Sequence, residues 1–381
     1  MIRVVHLSIV HKPGDIRIYE RECRTLAAAG YDVTFLVPGA PEAAPGENPR
    51  QVALPVRGRS TRWMSVREIV AELGRLRPHV VHFHDPELLT IAPVLRFLVP
   101  RVVYDMHEYV PEAVATKSYI PERVRPWASR ATAVAQRTLA TACHGVVSAA
   151  PGQLRALGPA PALRIAMVNY PRLANFEAAV PRPEIVADER LKLIHIGTLG
   201  RTRGLLLMLD VMSALGPDAP VSLYLAGHHA DPADEPVLRA RVEGELKGRV
   251  HVLGRVPPGE VPSYLKAADV CWSPFVGGPQ YSLPNIPTKV YEGMAAGLPV
   301  LVSDLADHAA PVRAERCGVV VAPTVQDHLA GVRRLLADPD ERKAMGARGL
   351  AAVRARYSWE AIEGDLLGFY AELRRGLRDS G

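Results

Sequence analysis

The sequence of 381 residues lacks several features that are typical of particular classes of protein. Its four cysteines lie far apart and form no Cys-x-x-Cys pair, which disfavours structural zinc and a disulfide framework and fits a reducing cytoplasm. No apolar run approaches the roughly 18 residues of a membrane span, and the opening MIRVVHLSIVHKPGD is typical of a first strand rather than a signal peptide. Aromatic residues make up only 6%, and no recognisable nucleic-acid module is present, so no nucleic-acid partner is expected.

Two glycine-rich nucleotide motifs are missing as well. The loop after the first predicted strand is HKPGDIR, with Gly14 alone, and neither GxGxxG nor GxxxxGK[ST] occurs. Dinucleotide-binding dehydrogenases and P-loop enzymes are therefore excluded. The one Asp-x-Asp, Asp338–Asp340, lies between two helical stretches, where Asp338 is expected to cap a helix rather than bind a metal. No metal site is predicted.

The sequence does contain two blocks of short apolar strands that alternate with helical stretches. Predicted strands of the first block are Arg3–Leu7, Val33–Val37, Val80–Phe83, Val102–Tyr104, Val146–Ser148 and Ile165–Val168. Those of the second block are Leu191–Ile196, Val221–Ala226, Val250–Leu253, Val270–Ser273, Val300–Ser303 and Val319–Val321. This alternation indicates an α/β fold with parallel sheets covered on both faces, and such sheets bind ligands at the carboxyl ends of their strands. A proline-rich, charged segment over 171–190 is interpreted as a linker.

Basic residues are in excess only in the N-terminal half. The first 185 residues hold 23 Lys and Arg against 16 Asp and Glu, whereas the remainder holds 23 against 24. Part of the excess surrounds Trp127, as Arg123, Arg125, Arg130 and Arg137. This distribution favours an acidic acceptor or an anionic membrane surface, and a solvated arginine-rich face is the alternative.

The segment PNIPTKVYEGMAAGLPVLVSD predicts a helix over 287–296, then a turn and a buried strand. Free N–H groups near Thr288 and Lys289 would face an anion. Glu292, on the first turns, can accept two hydroxyls, as from a ribose. The alternative is a carboxylate stabilised only by the helix dipole.

The loop GTLGRTRG follows the first strand of the second block. Gly197 and its neighbours fit a loop that passes close to a ligand. Arg201 and Arg203 are cations suited to bidentate binding of a diphosphate. A solvated pair is the alternative, although cations at a helix N-terminus oppose the dipole.

Taken together, these segments resemble the retaining GT-B glycosyltransferases, and most closely glycosyltransferase family 4. The resemblance is carried by PGDIRIYERECRTLAAAGYDVTFLVPG, VVHFHDPELL, VVYDMHE, VVSAAP, IGTLGRTRG, HVLGRVPPGEVPSYLKAADVCWSPF and PTKVYEGMAAGLPVLVSD. It implies a GT-B architecture of two doubly wound Rossmann-like domains facing a cleft. Residues 1–185 would bind the acceptor and 186–357 the donor, and a C-terminal helix over 358–381 would cross back to the first domain.

The resemblance also implies a reaction. A sugar would pass from a nucleoside-diphosphate sugar to an acceptor hydroxyl, with retention and without a metal or other cofactor. UDP is the first choice of nucleotide, with GDP and dTDP as alternatives. Expected acceptors are a glycan, a lipid-linked molecule or a specialised-metabolite precursor, and the enzyme is expected in the cytoplasm, with peripheral contact to the inner face of an anionic membrane. A sugar-nucleotide 2-epimerase and a non-catalytic sugar-nucleotide-binding partner are the alternatives.

The resemblance assigns roles to residues of the second block. Arg203 falls where the family has a cation that neutralises the leaving diphosphate, and Arg201 is its neighbour. Glu292 matches the second Glu of the Glu-x7-Glu motif, which holds the ribose, and Arg255 lies in the loop that frames the base. His107, Arg203 and Glu292 are the predicted catalytic residues.

One position departs from the family pattern. The first Glu of the motif is replaced by Pro284, which puts the identity of the donor sugar in doubt. Ser282 and Asn285 are the candidate substitutes for its contact with the sugar hydroxyls.

Three histidines lie near strand ends of the first block: His82, His84 and His107. His107 resembles the family's active-site histidine, whose ring can hydrogen-bond a sugar hydroxyl. His84 and Asp85 are acceptor-side candidates, and helix capping is the alternative for Asp85. A metal site of His82, His84, Asp85 and His107 is the alternative for the group.

The first strand-to-helix loop supplies the remaining candidates. Gly14 is small enough for close approach of the donor. Asp15 and Arg17 either face the cleft, as acceptor-side candidates, or cap the helix at Ile18.

Overall fold

The computed structural model describes residues 1–41, 43–116, 120–277, 288–375 and 377. These residues divide into two compact units. The first contains Met1–Asn169 and the residues from Ile362 onward, and the second contains Tyr170–Ala361. Among the described residues, no helix is long and apolar enough to cross a membrane.

The first unit is built on one parallel sheet. Its strands are β1 (Arg3–Leu7), β2 (Asp32–Pro38), β3 (Arg50–Leu54), β4 (Val80–Phe83), β5 (Arg101–Met106), β6 (Gly145–Ser148) and β7 (Arg164–Ala166). They lie in the order β3-β2-β1-β4-β5-β6-β7, and every pairing is parallel. All four residues of β4 are buried, as expected for a central strand covered on both faces.

Helices lie between most consecutive strands of the first unit. They are a π-helix (Ile16–Cys23), α1 (Arg24–Ala28), a 3₁₀-helix (Arg59–Ser65), α2 (Val66–Leu76), a 3₁₀-helix (Pro86–Ile91), α3 (Ala92–Leu98), α4 (Val110–Thr116), α5 (Arg125–Ala140) and α6 (Pro151–Leu157). Their apolar faces supply Leu26, Ile69 and Leu95, each fully buried, to the core.

The second unit repeats this plan with its own parallel sheet. Its strands are β8 (Leu191–Ile196), β9 (Val221–Ala226), β10 (Val250–Gly254), β11 (Val270–Ser273), β12 (Val300–Ser303) and β13 (Gly318–Val321). They lie in the order β10-β9-β8-β11-β12-β13. Trp272, on the central strand β11, is fully buried in the core.

Helices of the second unit complete the described chain. They are α7 (Leu173–Glu177), α8 (Pro183–Val186), a 3₁₀-helix (Arg201–Arg203), α9 (Leu205–Ala214), α10 (Asp234–Glu243), a 3₁₀-helix (Pro258–Glu260), α11 (Val261–Lys266), α12 (Thr288–Ala295), α13 (Ala306–Glu315), α14 (Val325–Ala337), α15 (Pro339–Ala352), a π-helix (Val353–Tyr357) and α16 (Trp359–Arg375). Asp338 Oδ1 accepts a hydrogen bond from the Glu341 backbone N–H at 2.9 Å, which confirms that Asp338 caps a helix.

The helix α16 begins in the second unit and continues in the first. Its Tyr370 is fully buried in the first unit, with the hydroxyl 2.9 Å from His82 Nδ1. Phe369 packs against Gly145 of β6, where an added Cβ would overlap the ring. The return of the chain's last helix, expected from the sequence, is therefore present.

The predicted architecture of two parallel, Rossmann-like units is confirmed, and the structure differs from the sequence interpretation at two places. The strand β3 was missed because only Leu54 of its five residues is buried and its first two residues, Arg50 and Gln51, are polar. The interpretation of residues 171–190 as a linker is wrong, because the segment forms α7 and α8. Phe176 of α7 and Ile185 of α8 are buried in the core of the second unit.

Candidate active site

The predicted site residues fall into two groups, one at the carboxyl edge of each sheet. The first unit carries Gly14, Asp15, Arg17, His84, Asp85 and His107. The second unit carries the residues predicted to bind a donor.

In the first unit, a buried carboxylate braces the loop after β1. Asp85 Oδ2 accepts a hydrogen bond from the Ile9 backbone N–H at 2.6 Å, and Oδ1 accepts one from Ser8 Oγ at 3.2 Å. Burial raises the pKa of Asp85, against the opposite effect of the Ile9 hydrogen bond. Within the described chain, its side chain makes no capping hydrogen bond to the 3₁₀-helix that follows, so the capping alternative is wrong here.

Asp15 does cap a helix. Its Oδ1 accepts hydrogen bonds from the backbone N–H groups of Arg17 and Ile18, both at 2.9 Å, and Oδ2 lies 3.0 Å from His11 Nδ1. Burial acts to raise the pKa of Asp15, but the His11 and Ile18 hydrogen bonds outweigh it and lower the pKa to about 2. Gly14 precedes it with a φ of 71°, a backbone conformation that favours glycine.

The side chain of Arg17 is directed into the unit and is only 5% exposed. Its Nε and Nη2 donate to the two oxygens of Asp105 at 2.9 and 2.8 Å. Its Nη1 donates to the Met167 carbonyl oxygen at 2.6 Å and to Asn169 Oδ1 at 2.9 Å. Burial acts to lower the pKa of Arg17, but the charges of Asp105 and Glu22 and the hydrogen bond with Asp105 together outweigh it and raise the pKa. Arg17 therefore ties β5 and the segment after β7 to the π-helix.

Two histidines converge on the same carboxylate. His84 Nδ1 and His107 Nε2 lie 3.1 and 3.0 Å from Asp105 Oδ2, and the two nitrogens are 3.1 Å apart. Burial alone would raise the pKa of Asp105, but Arg17 and then His107 hold it well below its ordinary value. Asp105 is therefore an ionised acceptor. The His107 side chain is 19% exposed, whereas those of Asp105 and His84 are fully buried.

Behind His84, the structure joins His82 to His6, Glu22 and Tyr370, three residues that the sequence analysis did not single out. His6 Nδ1 is 3.0 Å from His84 Nε2, and the Tyr370 hydroxyl is 2.9 Å from His82 Nδ1 and 3.4 Å from His6 Nε2. Glu22 is fully buried beside them, and burial raises its pKa well above the ordinary value. This group extends the site into the core.

Two sets of these side chains have ligand atoms close enough together for a metal ion. They are His6, Glu22, His82 and His84, and His84, Asp105 and His107. Asp85, which the sequence alternative had included, is directed to Ser8 and Ile9 instead. In the second set the Arg17 guanidinium already neutralises Asp105, so a divalent ion would have to compete with a buried cation.

In the second unit, the loop after β8 passes beneath a lysine. Gly197 has a φ of 149°, and a Cβ at this position would overlap the Lys289 side chain. At the other end of the loop Gly204 has a φ of 80°, and a Cβ would overlap the Pro274 carbonyl oxygen. Close approach therefore requires both glycines, and it brings the Gly197 backbone next to a cation.

The two arginines of this loop have different surroundings. Arg201 Nε donates to Asp234 Oδ1 at 2.8 Å, and the Arg201 side chain is 63% exposed. The Arg203 guanidinium lies 4.6 Å from the centre of the Phe275 ring, after β11. The Phe275 ring in turn contacts His308 edge-on, with 4.1 Å between ring centres.

Lys289 and Arg203 act on the same buried histidine. His195, on β8, is 1% exposed, and its Nδ1 lies 2.9 Å from the Trp272 carbonyl oxygen. Burial lowers the pKa of His195 to about 4, and the charges of Lys289 and Arg203 act in the same direction. Both cations are therefore within electrostatic range of His195, near the carboxyl end of β8. His195 was missed because its position on an apolar strand gives no sign of these neighbours.

The helix α12 begins at Thr288 and carries the other predicted contacts. Lys289 and Glu292 are half-buried on its first turns. Burial raises the pKa of Cys271 on β11 to about 12, and the Glu292 charge acts in the same direction, so the carboxylate lies within electrostatic range of Cys271. Arg255 follows β10 and is exposed. The candidate sugar contacts Ser282 and Asn285 lie outside the described residues.

Two family models match the chain. The model described as Glycosyltransferase Family 4 matches residues 17–168, and the model described as Glycosyl transferases group 1 matches residues 190–338.

Curated relatives and solved structures are similar to the chain. It is 24% identical to a phosphatidyl-myo-inositol mannosyltransferase of Mycobacterium leprae, over 94% of this chain and 93% of that protein. It is 30% identical to a GDP-mannose-dependent monoacylated alpha-(1-6)-phosphatidylinositol monomannoside mannosyltransferase of Corynebacterium glutamicum, over 39% of this chain and 38% of that protein. Sucrose-phosphate synthase from Thermosynechococcus elongatus has the same fold, with a TM-score of 0.75 at 20% identity over 99% of this chain and 100% of that one.

Proposed function

Because the chain is a GT-B glycosyltransferase that resembles glycosyltransferase family 4, we propose that it transfers a hexose from a nucleoside-diphosphate sugar to a hydroxyl of a lipid-linked acceptor. Transfer retains the anomeric configuration and needs no metal ion. The observation that carries the proposal is a pair of cations at the loop after β8: the Lys289 side chain lies against the Gly197 backbone, and Arg203 belongs to the same loop. A diphosphate has the charge and the oxygen atoms to neutralise both.

In this proposal the second unit binds the donor. The Gly197 backbone and the Lys289 side chain lie against each other, so a diphosphate placed there meets backbone groups and a cation together. The first N–H groups of α12, from Thr288, add donors and the positive end of a helix dipole. Glu292, one turn further along, accepts the two ribose hydroxyls, and the exposed Arg255 lies beside the base.

The reaction is a front-face displacement. The bond between the anomeric carbon and the diphosphate oxygen breaks, and the acceptor oxygen bonds to the same face of that carbon. The acceptor proton passes to the leaving diphosphate, so no protein nucleophile is needed. Arg203 and Lys289 stabilise the charge that develops on the leaving group, and His107 hydrogen-bonds a hydroxyl of the bound sugar.

Charge and exposure in the first unit support a lipid-linked acceptor. Trp127 and Val134 of α5 are 70% and 66% exposed, and the Arg130 guanidinium lies 5.5 Å from the centre of the Trp127 ring. Exposed aromatic and basic side chains on one helix suit the interface of an anionic membrane. The relative matched over nearly the whole chain is named for a phosphatidyl-myo-inositol acceptor. We therefore place the enzyme in the cytoplasm, at the inner face of the membrane.

The choice of donor follows from the same likenesses. UDP was the first choice from the sequence, and one relative is named as GDP-mannose-dependent. GDP-mannose and UDP-glucose are therefore the first two donors to compare, and a dTDP-sugar completes the panel.

The test is a transfer assay with purified protein, liposomes that contain phosphatidylinositol, and each donor in turn. We expect release of one nucleoside diphosphate that depends on the acceptor lipid, and a glycolipid with the anomeric configuration of the donor. The rate should survive prolonged treatment with EDTA.

Three other results would contradict the proposal. Loss of activity in EDTA that a divalent ion restores would refute the metal-free mechanism. Conversion of the donor sugar at C2 would indicate an epimerase. Tight donor binding without release of nucleoside diphosphate would indicate a non-catalytic sugar-nucleotide-binding protein.

A further inference from the structure

A chain of hydrogen-bonding groups runs through the first unit from Asp105 to the chain's last helix. Asp105 Oδ2 contacts His84 Nδ1 at 3.1 Å, and His84 Nε2 contacts His6 Nδ1 at 3.0 Å. His6 Nε2 is 3.4 Å from the Tyr370 hydroxyl, which is 2.9 Å from His82 Nδ1. We call these five side chains the buried relay. Each of them is at most 1% exposed, so water does not compete for their hydrogen bonds.

The proton positions in the buried relay are set from its two ends, the ionised Asp105 and the hydroxyl of Tyr370. Asp105 is acceptor-only, which favours a proton on His84 Nδ1. Burial lowers the pKa of His84 to about 4, so the ring is neutral and its Nε2 accepts. His6 then donates from Nδ1, and burial likewise holds its pKa well below the ordinary value, so its Nε2 accepts from Tyr370.

The proton positions at the far end of the buried relay, at Tyr370 and His82, are consistent with those at the Asp105 end. Because the Tyr370 hydroxyl donates to His6, its oxygen accepts from His82 Nδ1. Burial keeps the pKa of His82 well below its ordinary value, so His82 Nε2 carries a lone pair. This nitrogen is buried and has no hydrogen-bond partner among the described residues, as expected for the last acceptor of the chain.

These proton positions constrain His107. Its Nε2 lies 3.0 Å from Asp105 Oδ2 and 3.1 Å from His84 Nδ1. Since His84 Nδ1 already carries a proton, it cannot accept from His107, and Asp105 is the acceptor that remains. His107 therefore donates from Nε2 to Asp105, which turns the Nδ1 edge of its ring away from the carboxylate.

We propose that Tyr370, acting through His6 and His84, is a positioning residue: it keeps the His84 proton on Nδ1, so that Asp105 rather than His84 accepts from His107 Nε2 and the Nδ1 edge of the His107 ring faces a hydroxyl of the bound sugar. The identity of that ligand rests on the proposed function, whereas the proton positions do not. The chain's last helix thereby contributes to the site of the first unit a group that lies 263 residues from His107 in sequence.

Other charged groups near the buried relay leave this assignment unchanged. Arg17 donates to both oxygens of Asp105 and keeps the carboxylate ionised. Glu22 is 3.8 Å from His6 Nδ1, too far for a hydrogen bond, and 3.4 Å from Arg17 Nε. Burial and the Asp105 charge raise the pKa of Glu22 well above the ordinary value. On the open side, the His11 ring centre is 4.7 Å from that of His107, and its Nδ1 is held by Asp15.

The first test reads the tautomers directly by nitrogen-15 NMR of the full-length protein at pH 7.5. We expect the proton on Nδ1 in His6, His82 and His84, which is the form that free histidine disfavours in water, and on Nε2 in His107. A proton on Nε2 of His84 would overturn the proposal.

The second test removes one hydroxyl. Tyr370→Phe leaves His6 Nε2 without a donor, so His6 and His84 are expected to move their protons to Nε2. His84 Nδ1 then accepts from His107 and competes with Asp105 for its orientation. The matched control is Tyr104→Phe, which also removes a buried hydroxyl of the first unit, one that accepts from Gln136 Nε2 at 3.2 Å outside the buried relay.

Kinetics complete the test. Tyr370→Phe should lower kcat by about 2- to 10-fold, the effect of one neutral hydrogen bond, and leave KM for the donor unchanged. Tyr104→Phe should change neither the tautomers nor kcat. Equal spectra and equal kcat in the two variants would refute a positioning role for Tyr370. The predicted tautomers in a protein that transfers no sugar would support the buried relay and contradict the proposed function alone.

Discussion

The charged side chains at the carboxyl edges of the two sheets have opposite surroundings. In the first unit the charged side chains are buried and bonded to one another, and Arg17 and Asp105 are 5% and 0% exposed. In the second unit Arg203 lies half-buried in a loop and stacks on an aromatic ring. The first edge is therefore preorganised by its own hydrogen bonds, whereas the second concentrates positive charge where an external anion can reach it.

Among the tests of this difference between the two edges, Arg17→Ala is expected to have the largest effect, a loss of stability. The substitution leaves the Asp105 carboxylate buried without its cation, and breaking a buried pair in this way costs about 3–5 kcal/mol. Urea unfolding should show this loss in the free energy of unfolding. Arg75→Ala is the matched control, since Arg75 forms an exposed pair with Glu72 on the same unit, with 60% and 30% exposure. Its effect should stay within about 0.5 kcal/mol.

An Arg17→Ala protein as stable as the control variant would contradict the view that the first edge is held by a buried ion pair. Asp105 would then have to be protonated at neutral pH, and the proton positions of the buried relay would have no ionised end.

Acid should weaken both units by the same chemistry. His84 and His195, one in each unit, have pKa values of about 4 when folded against 6.5 when free. Between these values the unfolded chain binds more protons, so the free energy of unfolding falls as pH decreases from about 6.5 to 4. Each histidine contributes on the order of 2 kcal/mol. Hydrogen exchange at pH 7 and pH 5 should show faster opening of both sheets at the lower pH. Acid opening confined to one unit would show that only that unit depends on a neutral buried histidine.

The sequence predicts most of the fold because its central strands are continuous apolar runs. Leu191–Ile196 and Val300–Ser303 are observed with the predicted bounds. A strand that is buried on both faces consists mostly of apolar residues, so it can be recognised from its sequence. The strand β3, which is mostly only partly buried, is harder to recognise in this way.

Long-range pairs explain what the sequence could not provide. Arg17 and Asp105 are 88 residues apart, and the histidines of β1 and β4 meet only because the register pairs His6 with His82. The contact of Lys289 with Gly197 likewise depends on the position of α12 beside the first loop of its sheet. The DMHE segment that carries Asp105 and His107 was recognised, but the partners of Asp105 were not. The residue types at strand ends can therefore be predicted from the sequence, whereas their interaction partners can be identified only when the register of the strands is known.

A pair of substitutions in the second unit tests the open edge. Arg203→Ala should weaken binding of the nucleoside diphosphate by about 10- to 100-fold, the effect of losing one charge-assisted hydrogen bond, with little change in stability. Arg201→Ala should change the free energy of unfolding instead, because Arg201 pairs with the buried Asp234. Isothermal titration calorimetry and urea unfolding of both variants give the two readouts. A larger loss of affinity in Arg201→Ala would exchange the roles of the two arginines.

The smallest expected effect concerns the exposed cations of the first unit. Arg130 lies on α5 beside the exposed Trp127, and one such cation near an anionic membrane contributes about 1 kcal/mol. Arg130→Gln should therefore weaken co-sedimentation with phosphatidylinositol liposomes by about fivefold at low salt, and the difference should fade at high salt because the interaction is screened. Arg239→Gln in the second unit is the matched control, since Arg239 is 66% exposed on α10 and pairs with Glu235. It should leave liposome binding unchanged. Equal losses in the two variants would mean that the liposome senses net charge rather than α5. No binding at any salt would make a soluble acceptor the better explanation, with the arginines of α5 forming a solvated face.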